Sequence, residues 1–137
     1  DGGAHCGVIT DASFPTYLLS HWVRDRSRGD RFSLEKAVAA QTSRTAALYG
    51  LHDRGTVAPG MKADLNVIDF DALQLHEPKM VHDLPAGGRR LIQEISGYRY
   101  TIVSGVITYE DGTPTGKLPG KLIRGIQHAD AEKLAAE

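Results

Sequence analysis

The chain has a single cysteine, Cys6. That excludes an internal disulfide and makes a reducing cytoplasm the default compartment. There is no long apolar run, so no membrane-spanning helix is expected, and no charged-then-apolar leader. The first residue is Asp1 rather than methionine, so a signal peptide ahead of it would have been lost with the true N-terminus. Neither sign of charge is in excess: 16 Lys and Arg face 17 Asp and Glu, a net charge of −1 at pH 7. Without a global field, neither nucleic acid nor an anionic membrane is expected as a partner. No repeat period appears. What the chain does have is 15 glycines and 6 prolines, placed mostly beyond residue 50, which marks a turn-rich second part. Its 137 residues suit one domain and suffice to bury a core if the elements belong together.

The first fifty residues read as helical after an opening loop. In the run from Ser13 to Gly29, Ser13 or Phe14 can cap, Pro15 fits the first turn, and Leu18, Leu19, Trp22 and Val23 form an apolar stripe. Arg24 to Arg28, interrupted by Asp25, reads as the solvated end of that helix. Ser33 begins a second helix, with Leu34, Ala37 and Val38 at helical spacing and Glu35 in the first turn, where a negative charge suits the dipole. Thr42 begins a third, through Ala46, Ala47 and Leu48, stopped by Gly50. Beyond Gly50 the period changes to that of strands. Leu65 to Phe70 is β-rich, and Tyr98 to Val103 and Val106 to Tyr109 flank Ser104-Gly105, a two-residue hairpin turn. Lys79 to His82 and Arg90 to Ile95 are weaker strand candidates. The Ala-, Glu- and Lys-rich tail from His128 is a terminal helix or a frayed end.

Helices that need a sheet or barrel thus come first, and strands with too few partners follow. The run Ser33 to Leu73 resembles the C-terminal signature of the amidohydrolase superfamily. There a helix pair after the last barrel strand leads through Gly-x-Ile/Val-x-x-Gly-x-x-Ala-Asp-Leu into a small β-sandwich. The matching residues are Gly55, Val57, Gly60, Ala63, Asp64 and Leu65. Val103 to Gly125 is similar to the end of the same family, where a hairpin is followed by a closing Gly-x-x-Pro-Gly-x-x-x-Arg-Gly. The resemblance is nearest to the N-acyl-D-amino-acid deacylase, or D-aminoacylase-like, branch, whose eighth barrel strand ends in Ser-Asp-Gly-Gly or a similar run.

That resemblance gives the opening run Asp1-Gly2-Gly3-Ala4-His5-Cys6 a meaning. It implies that Asp1 sits at the C-terminal end of the last strand of a (β/α)8 barrel, where catalytic residues gather. In the family this carboxylate contacts the metal-bound water, acts as general base and then protonates the leaving amine. A bound zinc lowers the pKa of water from 15.7 to about 7, and a nearby carboxylate can take that proton and return it. Gly2 and Gly3 then turn the backbone beside the substrate without a Cβ in the way, and His5 touches the substrate or orients Asp1. The resemblance also implies Zn²⁺ in the complete protein, with Asp1 as a possible ligand. The family's remaining ligands, including a His-x-His pair, come from earlier strands, and this chain has neither His-x-His nor His-Glu-x-x-His.

Other features read as structural. Cys6 reads as a small buried residue, and His21, His52, His76, His82 and His128 fit no ligand template. Gly112 to Leu118 looks like a phosphate loop but has three residues between its glycines and a leucine where Ser or Thr is needed, so it reads as a turn. The run Pro85 to Arg90 sets two glycines beside two arginines and could cradle an anion, but without a strand-to-helix context it reads as a mobile surface loop.

The fold expected is therefore an α+β fragment, the last strand end and outer helices of a (β/α)8 barrel followed by the C-terminal strands of a small β-sandwich. Residues 1–50 form the barrel end, 51–125 the sandwich portion and 126–137 a helical or disordered tail. The expected function is that of the C-terminal portion of a zinc-dependent, cytoplasmic amidohydrolase cleaving an N-acyl-D-amino acid or similar small amide. Its partner is the missing N-terminal barrel portion, in the same protein or a companion chain, and the fragment alone is expected to be inactive. Two alternatives stand beside it: an amidohydrolase of a cyclic amide or a dipeptide, and a non-catalytic β-rich binding module with a helical extension.

Overall fold

A computed structural model describes residues 7–129. In chain order it has a 3₁₀ turn (Asp11–Ser13), helix α1 (Phe14–Tyr17), a π-wound turn (Leu18–Asp25), helices α2 (Leu34–Gln41) and α3 (Ser43–Leu48), then strands β1 (Leu65–Ile68), β2 (Gln74–Leu75), β3 (Lys79–Leu84), β4 (Gly88–Ile92), β5 (Ile95–Ser96), β6 (Tyr98–Val103), β7 (Val106–Glu110) and β8 (Thr113–Pro114). All strand pairings named below are antiparallel, so the chain is α+β as expected. It divides into two compact units: residues up to Arg31 with Asp69–Gly97, and Phe32–Ile68 with the chain from Tyr98 onward.

In the first unit the helix begins earlier than expected. Neither Ser13 nor Phe14 caps it; the Ser13 hydroxyl donates to the Thr10 carbonyl at 3.0 Å, and a 3₁₀ turn leads in from Asp11. Pro15 stands in the first turn of α1, where its missing N–H costs nothing. From Leu18 the winding widens, and the Arg26 N–H reaches back five residues to the His21 carbonyl at 2.8 Å. Arg24 is not a solvated end. Its guanidinium donates to the carbonyls of Phe70, Asp71 (3.1 Å) and Leu73 (2.8 Å), and to both carboxylate oxygens of Asp25 at 2.7 and 3.0 Å. The loop 70–73 has no sheet partner for these oxygens, and three of the five N–H donors of one arginine supply them. Within that loop Leu73 is fully buried. Gly97 passes so close that a Cβ there would stand 2.6 Å from the Leu73 Cα. Strands β2 and β5 pair Gln74 with Ser96 and Leu75 with Ile95, while β3 and β4 form a hairpin in which Lys79 faces Ile92 and Val81 faces Arg90.

In the second unit α2 starts where the sequence predicts, with the Lys36 N–H donating to the Ser33 hydroxyl at 3.3 Å. Thr42 precedes α3 but does not cap it by its side chain; that hydroxyl donates to the Val38 carbonyl at 2.8 Å. Gly50 does stop the helix. Its N–H donates to Ala47 O at 3.1 Å and that of Leu51 to Ala46 O at 2.8 Å, the paired closure that a left-handed glycine allows. Gly55, also left-handed, brings the chain against α3, where a Cβ would lie 3.0 Å from the Ala46 Cβ. The sheet runs β1-β6-β7-β8. Ser104-Gly105 joins β6 to β7 with both residues at positive φ, the turn expected from their sequence, and Asp111-Gly112 repeats the device between β7 and β8. Farther on, Gln127 bridges Leu51, exchanging bonds with Gly50 and His52 at 2.9 and 3.0 Å.

Candidate active-site segment

Asp1, Gly2, Gly3 and His5, to which the family resemblance assigned catalysis, substrate contact and metal contact, lie outside the described residues, as does Cys6, which was read as structural. The chain is described from Gly7, directly after that run. Three residues a little farther along, Ile9, Thr10 and Ser13, line a cavity of about 290 Å³ whose other wall is Arg90, Ile92 and Gln93. That second wall is formed by β4 and the residue just beyond it. Residues 85–90, expected as a mobile surface loop, form a tight turn and the start of a strand. Pro85 accepts from the Gly88 N–H, and Ala86 and Gly87 both hold positive φ, at 58° and 71°.

The wall is braced by charge. Arg90 donates to both oxygens of Asp83 at 2.8 and 2.6 Å, and this hydrogen bonding holds the Asp83 carboxyl below the usual range. Lys79 donates to one oxygen of Glu94 at 2.9 Å, and this bond holds that carboxyl low as well. Gln93 reaches the His76 carbonyl at 2.9 Å, and His76 meets the Ser96 hydroxyl at 3.2 Å. Arg89, the neighbour of Arg90, is exposed, with its Nε 3.9 Å from where a Cβ on Gly7 would stand.

In the second unit the Gly-x-Val-x-x-Gly-x-x-Ala-Asp-Leu segment performs a structural task. Asp64 Oδ1 accepts from the Ser104 N–H at 2.8 Å, and Oδ2 accepts from Arg54 at 2.9 Å with Lys62 at 3.6 Å. Arg54 turns its other donors to Asp53 at 2.8 and 2.9 Å. Hydrogen bonding to Arg54 lowers the Asp53 pKa, and the same contact raises that of Arg54. Both carboxylate oxygens of Asp64 are engaged, so this side chain latches the β6–β7 turn to the loop before β1 rather than moving protons.

Among the described residues no three His, Cys, Asp or Glu side chains converge as a metal site would require. His21 stacks on Tyr17 at 4.8 Å, and His52 and His128 stand 6.4 Å apart as a tilted pair. The donor set on the described residues therefore does not fit a zinc ion.

The sequence model of the Amidohydrolase family matches residues 1–109, from Asp1 into β7. The chain belongs to the amidohydrolase family. This amidohydrolase segment is 29% identical over 109 residues, 80% of its length, to an N-acyl-D-glutamate deacylase of Alcaligenes xylosoxydans xylosoxydans, and covers 20% of that protein. It is 38% identical over 61 residues, 44% of its length, to an adenine deaminase of Desulfatibacillum aliphaticivorans, of which it covers 10%. The segment thus spans a fifth or less of the curated relatives it matches. The D-aminoacylase-like branch expected from the sequence agrees with the first of these relatives. No solved structure matches the chain significantly.

Proposed function

We propose that this segment is the C-terminal part of a hydrolase acting on a C–N bond, and that the substrate is an N-acyl-D-amino acid or a similar small amide. The observation that carries it is the family match, which starts at the Asp1 run and is joined over 109 residues by likeness to a deacylase. Residues 1–50 then belong to the end of a (β/α)8 barrel, 51–125 to a β-sandwich portion and 126–137 to a tail. The barrel itself comes from the same polypeptide or a companion chain. The lone thiol suits a cytoplasmic setting, and among the described residues no helix is long and apolar enough to cross a membrane.

Asp1 is the proton-transfer group, taking a proton from the attacking water and delivering it to the leaving amine. Gly2 and Gly3 leave room for the substrate beside it, and His5 orients the carboxylate or the substrate. Zinc, where bound, supplies a water of lowered pKa. Its ligands would lie outside the described residues, Asp1 being the candidate that the family resemblance names.

The test is hydrolysis by the complete polypeptide that carries this segment, on N-acyl-D-amino acids beside cyclic amides and dipeptides. Release of the free D-amino acid is expected, with Asp1→Asn lowering kcat by about 10²- to 10⁴-fold. Turnover of the cyclic amides or dipeptides alone would favour the second substrate class. No hydrolysis of any of them, with a cooperatively folding metal-free chain, would return the protein to the class of β-rich binding modules.

A further inference from the structure

We propose that the second unit carries a binding site for a small organic phosphate, a monoester whose charged group meets Arg54, Lys62, Lys121 and Arg124 and whose apolar part rests on Pro119 and Val106. These residues line a cavity of about 790 Å³ walled by the loop before β1, the β6–β7 turn and the stretch after β8. That volume falls in the range of sites that take up a small molecule, and an apolar lining with a few placed polar groups is what such sites share. The cavity lies wholly within the second unit, and none of its residues has a part in the hydrolysis proposed above.

Charge decides the class of ligand. Four cations line the cavity against a single carboxylate there, Asp53. Asp64, which accepts from Arg54 at 2.9 Å and has Lys62 at 3.6 Å, cancels one more. Among the described residues two positive charges remain, in a chain whose net charge is −1. A phosphate monoester carries about −1.5 to −2 at neutral pH and matches that excess, where a single carboxylate would leave half of it standing. The walls are set without a ligand. Arg54 spends three of its five N–H donors on Asp53 and Asp64, so the plane of its guanidinium is fixed. The Lys62 N–H donates to the Asp53 carbonyl at 2.6 Å and brings those two residues together. Opposite them, the stretch from Pro119 to Arg124 has neither helix nor strand, and Gln127 pins its far end. The Gln127 N–H donates to the Gly50 carbonyl at 2.9 Å, its carbonyl accepts from His52 at 3.0 Å, and its side chain donates to the Arg124 carbonyl at 3.3 Å. Lys121 and Arg124 are exposed, so closing them on an anion costs little beyond side-chain freedom.

The test is isothermal titration calorimetry of the complete polypeptide that carries this segment, with inorganic phosphate and n-butyl phosphate as probes and n-butanol as the blank. Both phosphates are expected to bind, the ester about 10-fold the tighter through its buried carbons, and both more weakly as salt rises. Lys121→Gln and Arg124→Gln, made singly, should each weaken n-butyl phosphate by about 10-fold or more, with the circular dichroism spectrum unchanged. Lys117→Gln, which removes an exposed lysine outside the cavity, should leave the affinity as it is. If neither phosphate binds, or if the Lys121 and Arg124 variants bind as the wild type does because the anion sits elsewhere, the cavity is not a phosphate site. An ester held no more tightly than inorganic phosphate would overturn the organic class, and an equal loss in Lys117→Gln would show a response to overall charge alone. The titration reads no turnover, so each of these results leaves the hydrolase function standing.

Discussion

Gly97 shows how one missing Cβ shapes the first unit. Its φ of 98° suits glycine alone, and the space a side chain needs is filled by the Leu73 backbone, with its N at 2.8 Å and its Cα at 2.6 Å. Replacement therefore meets two penalties, a strained backbone and a clash with main-chain atoms that have no rotamer to yield. Gly97→Ala is expected to lower stability by about 3 kcal/mol, read as a drop in the urea midpoint at unchanged slope. An unaltered midpoint would mean that the loop around Leu73 gives way. Arg24 and Asp64 act at the same scale by opposite routes, one cation collecting carbonyl oxygens and one carboxylate collecting donors. Neither role could be read from sequence. Arg24 lies in a charged run whose ordinary fate is solvent, and Asp64 in a signature whose spacing says nothing of which atoms it meets.

The elements differ in how plainly they announce themselves. Strand β7 alternates in burial from Val106 to Tyr109 while β6 is half-buried from Tyr100 to Val103, and a Ser-Gly turn of the required handedness joins these two β-rich runs, so both were visible in the sequence. Strands β2 and β5 have two residues each, too few to carry a period of two, and only their mutual pairing makes them strands. The π winding of Leu18–Asp25 is likewise silent, because its apolar spacing passes for that of an ordinary helix. The β3–β4 hairpin was half visible: its flanks were weak strand candidates, while its turn carries alanine where Asn or Gly is the usual left-handed residue. Ala86→Gly is therefore expected to raise stability by about 0.5–1 kcal/mol, since relief of the left-handed alanine outweighs the extra freedom of the unfolded chain. A rise in thermal midpoint checks it, and a fall would show that the turn is relaxed as it stands.

At the scale of the molecule, the described residues bury few large apolar side chains, Leu19 and Leu73 among them, while Leu48, Val57, Leu118 and Leu122 are 80%, 84%, 94% and 78% exposed. The segment covers a fifth or less of the curated relatives it matches, and exposed apolar side chains of this kind are interaction surfaces. With a thin core, charge networks take a larger share of the stability, and this share depends on pH. The carboxyls of Asp25 and Asp53 are both held low by their arginines. A depressed folded pKa contributes stability that is complete above the unfolded value of about 3.9 and is lost as pH falls through the folded one. Stability is thus expected to be flat from pH 7 to 5 and to decline on acidification below about pH 4. Asp53, with its side chain 16% exposed, should supply more of the effect than Asp25 at 53%, where solvent screens the pair. Urea midpoints from pH 7 to 3 measure this, and a level profile down to pH 3 would contradict it.

One cap, one stop and one hairpin turn were legible in the linear chain: Ser33 opening α2, Gly50 closing α3 and Ser104-Gly105 turning β6 into β7 each act on neighbours within a few residues. Family membership was legible for the same reason, since Gly55, Gly60 and Asp64 keep a constant spacing. Folding alone established which distant groups these residues serve. Arg24 finds carbonyls 46 to 49 residues away, and Asp64 finds a backbone N–H 40 residues away. Arg89 came to stand beside Gly7 while Arg90 turned to Asp83. Pairings of that range leave no period and no local propensity behind, because the polar groups concerned are satisfied by whatever the folded chain brings within hydrogen-bond distance.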